Sequence, residues 1–244
     1  MPLLTEEQKL EKKLLTRFQK AIYEYGLIED NDHILVGLSG GKDSLCLLEL
    51  LGKRMKIDKP KFTVEALHIR MSNIKYESDI TYLKDFAESR GIRFHVVTTE
   101  FNASTDSRKS PCFLCSWNRR KQLFMKAKEL GCNKIALGHH MDDIIHTTMM
   151  NLYFQGSFST MPVRLKMKKM PLTIIRPLCL EIEEDLRKYA ANNNYHKQVK
   201  LCPYETDSHR SDMRDMFNNI ESMTSEARYS VWNALEKEGK LIEE

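Results

Sequence analysis

Between residues 5 and 25, Leu10, Leu14, Phe18 and Ile22 recur every four positions, with Lys and Glu filling the other faces. That spacing predicts an amphipathic helix, and Gly26 is placed to end it. The period then changes. Residues 34–38 form a short apolar run, followed by a glycine-rich turn and a helix over 43–52. The same alternation continues with strands over 62–69, 92–98, 134–137 and 172–175. Helices are predicted over 77–90, 113–130, 142–153 and 181–192, two of them stopped by Gly91 and Gly131. Strands alternating with helices predict an α/β fold, a parallel sheet with helices on both faces. The last forty residues hold no strand candidate and are expected to form a helical tail.

Composition narrows the class. The chain has 244 residues, 41% hydrophobic and 30% charged, the balance of a soluble globular protein. Its apolar runs are far too short to cross a bilayer. Its start, Met1-Pro2-Leu3-Leu4-Thr5-Glu6-Glu7, lacks the basic and apolar regions of a secretory signal, so a cytoplasmic location without a membrane partner is expected. Six cysteines in such a chain point to thiols, metal ligands or catalytic groups rather than structural disulfides. The net charge of +4 is less informative than its distribution. Arg108, Lys109, Arg119, Arg120 and Lys121 bracket one cysteine pair, and Arg164, Lys166, Lys168 and Lys169 form a second cluster. Each reads equally as a polyanion contact or as a solvated face.

The turn after the first strand reads Ser39-Gly40-Gly41-Lys42-Asp43-Ser44. Glycines there let the backbone approach phosphate oxygens, and the N–H groups of the following helix's first turn point at the anion. The Ser39 and Ser44 hydroxyls add donors, and Lys42 adds a positive charge. Asp43 would be repelled by phosphate unless a cation lay between, which makes it a natural Mg²⁺ contact. The Walker A pattern fails: counted from Gly37 the loop is one residue short, and Asp43 follows Lys42. In this position the hexapeptide resembles the signature of the PP-loop ATP pyrophosphatases. That resemblance implies a five-stranded parallel sheet of the adenine nucleotide alpha hydrolase type, with ATP at the carboxyl ends of its strands. It further implies that Leu67 and His68 border the adenine, and that Gly138 and His139 border the phosphates.

Pro111-Cys112-Phe113-Leu114-Cys115 opens a helix, where the dipole lowers thiol pKa. A redox dithiol, half of a zinc site and part of an iron–sulfur cluster are all open to such a pair. Cys202, in a polar, proline-containing loop, is the best third ligand, whereas Cys46, Cys132 and Cys179 read as packing. Together with the segments 137–143, Ile175-Arg176-Pro177-Leu178 and Met161-Pro162, these residues resemble the TtcA family of tRNA 2-thiocytidine synthetases. The resemblance implies a [4Fe-4S] cluster on Cys112, Cys115 and Cys202, with one iron left to carry sulfur. It implies catalytic use of Cys112 and Cys115, and cytidine 32 of the tRNA anticodon loop as target. The implied partners are ATP, Mg²⁺, tRNA and a sulfur donor, either a cysteine desulfurase or sulfide. A homodimer is compatible with the sequence. Asp142 and Asp143 are candidates as metal ligand or general base, or equally as helix-start acids favoured by the dipole. The expected organisation is an N-terminal helix over 1–30, the PP-loop domain over 31–200 and a helical extension over 201–244. The competing expectation is a PP-loop enzyme acting on a tRNA uridine or a small metabolite, with zinc or redox chemistry at the cysteine pair.

Overall fold

The computed structural model describes residues 4–74, 76–102, 110–196, 199–200 and 209–244. Its helices are α1 (Glu6–Glu24), α2 (Lys42–Arg54), α3 (Ile80–Glu88), α4 (Pro111–Glu129), α5 (Met141–Gln155), α6 (Glu183–Asn192), α7 (Arg210–Met223) and α8 (Ala227–Lys237). Its strands are β1 (His33–Gly37), β2 (Thr63–Met71), β3 (Tyr76–Glu77), β4 (Arg93–Thr99), β5 (Lys134–Ala136), β6 (Arg164–Lys166), β7 (Thr173–Ile175), β8 (Val199–Lys200) and β9 (Ile242–Glu243).

The main sheet runs β4-β2-β1-β5-β7-β6-β9, and the first five of these strands are parallel. Those five are the predicted strands. β1 lies in their middle, with Val36 opposite Ala66 of β2 and Ala136 of β5. The chain winds outward from β1 through β2 to β4, then returns to β5 on the other side of β1. Winding reverses at the β1–β5 boundary. Loops leaving the carboxyl ends of these two strands therefore diverge and leave a crevice, the place where open α/β sheets hold ligands.

Side chains alternate across β1: Ile34 and Val36 enter one hydrophobic layer and Leu35 the other. The first layer is thick. Phe18 of α1, Leu47 of α2, Leu83 of α3, Ile144 of α5, Leu186 of α6, Phe217 of α7 and Trp232 of α8 all share it. The second layer is thin, and among the described residues α4 is the one helix in it, packing Leu123 and Ala127 against Leu35, Leu67 and Ile135.

Four strands among the described residues come in addition to those expected, and β3 and β8 pair antiparallel as a sheet of their own. β6 and β9 add two strands at one edge, β6 antiparallel to β7 and β9 parallel to β6. Arg164-Leu165-Lys166 and Ile242-Glu243 offer one apolar side chain each, too little to register as strand, and an edge position requires no apolar run. The tail thus holds the expected helices α7 and α8 but ends in a strand. α3 starts at Ile80 rather than 77, because Asp79 accepts a hydrogen bond from the Tyr82 N–H at 2.9 Å and caps it. Among the described residues no helix is long and apolar enough to cross a membrane.

Candidate active site

The crevice at the β1–β5 boundary is walled by the loop after β1 and the residues after β5. Gly40 has φ +82°, a conformation a side chain would strain. The Gly41 N–H donates to Ser39 Oγ at 3.3 Å, Ser44 Oγ donates to the Gly41 carbonyl at 2.9 Å, and the two serine oxygens lie 3.1 Å apart. The first helical bond of α2 is Leu45 N–H to the Gly41 carbonyl. The helix therefore leaves the N–H groups of Lys42, Asp43 and Ser44 without intrahelical acceptors, and they form an anion cradle.

Gly138 forms the opposite wall. A Cβ there would stand 3.0 Å from the Asp43 carbonyl carbon and 3.1 Å from the Ser44 nitrogen. Only a glycine lets the two loops approach this closely. The floor is braced by β2. Leu38 N–H donates to the Leu67 carbonyl at 2.9 Å, and His68 Nδ1 donates to the Leu38 carbonyl at 2.8 Å. With Nδ1 protonated, His68 Nε2 is the lone-pair nitrogen. Burial lowers the pKa of this ring, and the neighbouring Arg119 and Arg70 lower it further, so the imidazole is neutral. Leu67 and His68, expected to border the adenine, hold the phosphate loop in place through Leu38.

Charges crowd the mouth. Lys42 Nζ lies 3.1 Å from Asp43 Oδ1 and 3.2 Å from Glu183 Oε1. Burial works against the Lys42 ammonium, yet these two carboxylates prevail and raise its pKa. Beyond Gly138, Arg176 Nε donates to His139 Nδ1 at 3.3 Å, while its Nη1 donates to the Pro162 carbonyl. Burial and the adjacent Arg176 charge push His139 down to about 4, leaving it neutral. His140 is pulled the other way. Burial disfavours its charge, but Asp142, Asp143 and Asp43 together raise its pKa.

The two acids opening α5 have different surroundings. Asp142 Oδ2 accepts the Glu183 N–H at 2.8 Å, and Oδ1 takes Arg228 Nη1 at 2.5 Å. Arg228 also holds Glu221 through two bonds of 2.9 and 2.7 Å. Burial opposes the Asp142 charge, but His140 and Arg228 keep its pKa below the usual carboxylate range. Both of its oxygens are occupied in tying α5 to α6 and α8. Asp143 is less encumbered: Oδ2 accepts the His140 N–H at 3.2 Å, and Oδ1 lies 3.7 Å from Arg210. Glu183, Arg176 and Arg228 complete this site, and sequence reasoning assigned them no role. The tail residue Arg228 carries no local signal, because its partner Asp142 is remote in sequence.

The cysteine pair sits at the same edge of the sheet, since α4 follows the carboxyl end of β4. Ser110 caps the helix by accepting the Phe113 N–H at 3.3 Å, with Pro111 in the first turn. Cys112 is exposed and Cys115 half-buried, the latter over an apolar floor of Met71, Ile74 and Phe101. Cys46, Cys132 and Cys179 are buried, and burial raises each thiol pKa, to about 11 for Cys132. Cys202, expected as a third ligand, and Arg108 and Lys109 lie outside the described residues. Among the described residues no group of three or more His, Cys, Asp or Glu side chains is arranged to hold a metal ion.

Comparison with known proteins follows the same lines. A family model described as a PP-loop domain matches residues 7–198. The tRNA-cytidine(32) 2-sulfurtransferase of Dechloromonas aromatica (strain RCB) is 36% identical over 234 residues, covering 94% of this chain and 81% of the relative. The tRNA-cytidine(32) 2-sulfurtransferase 1 of Francisella tularensis subsp. novicida (strain U112) is 33% identical over 233 residues, 93% of this chain and 86% of the relative. Among solved structures, the U34-tRNA thiolase NcsA from Methanococcus maripaludis, determined with its [4Fe-4S] cluster, superposes with a TM-score of 0.77 at 27% identity. That match covers 95% of this chain and 79% of the thiolase.

Proposed function

The chain belongs to the PP-loop family, among relatives named tRNA-cytidine(32) 2-sulfurtransferases, and from that membership we propose that it thiolates tRNA at the expense of ATP. The proposed target is the 2-oxygen of cytidine 32 in the anticodon loop. The observation that carries the reading is the pairing of a phosphate cradle at the β1–β5 reversal with two cysteines at the same sheet edge.

ATP binds with its phosphates on residues 39–44, against Gly138, and its base toward the ends of β1 and β2. The cytidine 2-oxygen attacks the α-phosphorus, the bond to the bridging oxygen breaks, and pyrophosphate leaves. Charge develops on the departing phosphates, where the N–H groups of Lys42, Asp43 and Ser44 and the Lys42 ammonium stabilise it. Sulfur at the sulfide level then adds at C2, and the C2–O bond breaks to release AMP. In sum, cytidine, ATP and hydrogen sulfide become 2-thiocytidine, AMP and pyrophosphate, with no net oxidation.

Asp43 and Asp143 are the carboxylates suited to a Mg²⁺ ion, which in such sites takes one or two protein carboxylates beside substrate phosphates and waters. Asp142 acts as a positioning residue, holding α5 and α6 against the cradle. Two thiols at a helix N-terminus, one exposed and one over an apolar floor, suit a thiolate-bound iron–sulfur group. Cys112, Cys115 and Cys202 would hold a [4Fe-4S] cluster, which when bound supplies iron able to carry sulfur.

Nucleoside mass spectrometry of tRNA from the native host, with and without the gene, tests this reading. Loss of 2-thiocytidine alone is expected. Loss of a thiouridine instead, the base class of the U34-tRNA thiolase, would move the target, and unchanged tRNA would overturn the assignment. Cys112→Ala is expected to lose both iron content and thiolation, and retention of both would remove it as a ligand.

A further inference from the structure

The outer face of α4 is unlike an ordinary solvent face. Of its 19 residues only Glu129 is acidic, and Lys126 engages it at 2.6 Å. Arg119, Arg120, Lys121, Lys126 and Lys128 supply positive charge. On that face Phe113, Trp117 and Met125 follow one another at four- and eight-residue spacing, with exposures of 48%, 54% and 56%. Lys121 Nζ stands 5.7 Å from the centre of the Trp117 ring. The opposite side of α4 packs on β2 and β4, which leaves Phe113, Trp117 and Met125 at the surface. The face begins beside Cys112, and Leu123 of the same helix stands 3.6 Å from where a Cβ on Gly37 would lie, at the end of β1 that leads into the phosphate loop.

An exposed aromatic ring flanked by cations, with hardly any carboxylate nearby, complements a polyanion that carries flat bases. A second copy of the chain fits poorly, since a symmetric contact would set this cationic helix against itself. A duplex fits poorly as well, because base pairing hides the faces that could stack, whereas an unpaired loop offers them. We propose that Trp117 is a stacking platform for an unpaired base of the tRNA anticodon loop, with Arg120 and Lys121 on the adjoining phosphates. This inference rests on tRNA being the substrate. Trp117 would set which loop nucleotide is presented to the crevice, and it takes no part in bond breaking.

The test measures binding of two dye-labelled RNAs by fluorescence anisotropy: a hairpin built as an anticodon stem and loop, and a blunt duplex of the same stem. Trp117→Ala is expected to weaken hairpin binding by roughly tenfold, the loss of one base–aromatic stack, and to leave duplex binding unchanged. Trp117→Phe, which keeps an aromatic face, is expected to bind the hairpin nearly as the natural protein does. The other tryptophan, Trp232, is buried with its Nε1 on the Tyr25 hydroxyl at 3.1 Å, so its fluorescence reports whether each variant is folded. Hairpin binding unaffected by Trp117→Ala overturns the inference, as does an equal loss on hairpin and duplex. A dimer that Trp117→Ala converts to monomer, with hairpin affinity retained, overturns it in favour of self-association. If the natural protein binds neither hairpin nor whole tRNA, the tRNA reading falls first; if it binds both and Trp117→Ala changes nothing, only the platform falls.

Discussion

Gly138→Ala tests the idea that the crevice depends on two loops touching backbone to backbone. The added Cβ would sit 3.0 Å from the Asp43 carbonyl carbon, 3.1 Å from its oxygen and 3.1 Å from the Ser44 nitrogen, where ordinary contact begins at 3.4 Å. None of these atoms can swing aside as a side-chain tip would. The start of α2 and the end of β5 must therefore separate by several tenths of an ångström. Overpacking of this kind costs about 1–3 kcal/mol. The displaced groups are the N–H donors of the cradle, so catalysis should suffer as well as stability. Misplacement on the order of 1 Å costs about a hundredfold in rate, so a smaller shift should cost roughly tenfold or more. The assay is pyrophosphate release with tRNA present, alongside urea unfolding. Gly156→Ala is the control: its φ of +61° makes a side chain strained, but a Cβ there meets nothing within 4 Å and lies beyond the far end of α5. Stability should fall in both variants, activity only in Gly138→Ala. A Gly138→Ala enzyme releasing pyrophosphate at the natural rate would refute the reasoning.

Glu181 is fully buried, its oxygens make no hydrogen bond among the described residues, and its nearest cation is Arg17 at 3.9 Å. Burial pushes its pKa from the ordinary 4.5 up to about 8. The folded state therefore holds this proton more tightly than the unfolded state. That contribution to stability is full below pH 4.5 and is lost as pH rises to about 8, a loss of up to about 5 kcal/mol. Glu181→Gln should flatten this slope and melt above the natural protein at pH 8, with the gap closing toward pH 5; parallel melting curves across that range would contradict it. Arg228→Ala should cost about 3 kcal/mol in urea unfolding, because it strands the part-buried Asp142 and Glu221 carboxylates, and Arg228→Lys should recover only part of that. A change within error for Arg228→Ala would mean that the tail does not brace the site.

Local chemistry made much of this legible. Leu10, Leu14, Phe18 and Ile22 specify a helix by their own spacing, and residues 34–44 specify strand, turn and helix without reference to the rest of the chain. The parallel order follows from alternation, and with it the position of the crevice. What escaped were features made by distance in sequence. Gly138 is expected beside the phosphates from the family resemblance, but its backbone-to-backbone approach to Asp43 appears only in the fold. Asp142 reads equally as a metal ligand, a base or a helix-start acid, and its capture by Arg228 requires α8 to fold back over α5. β6 looks like a charged cluster because an edge strand requires no apolar run. Trp117 is legible by spacing: it stands on α4 in line with Phe113 and Lys121, away from Leu123 and Ala127, which face the core.

The most direct test of the central claim uses the iron-loaded protein, prepared without oxygen, with ATP, Mg²⁺, sulfide and unmodified tRNA. The products to be counted are AMP, pyrophosphate and thionucleoside. The account predicts that the three appear in equal amounts, with 2-thiocytidine as the thionucleoside and none of them without tRNA. Pyrophosphate release that is indifferent to tRNA and leaves it unthiolated would contradict the account.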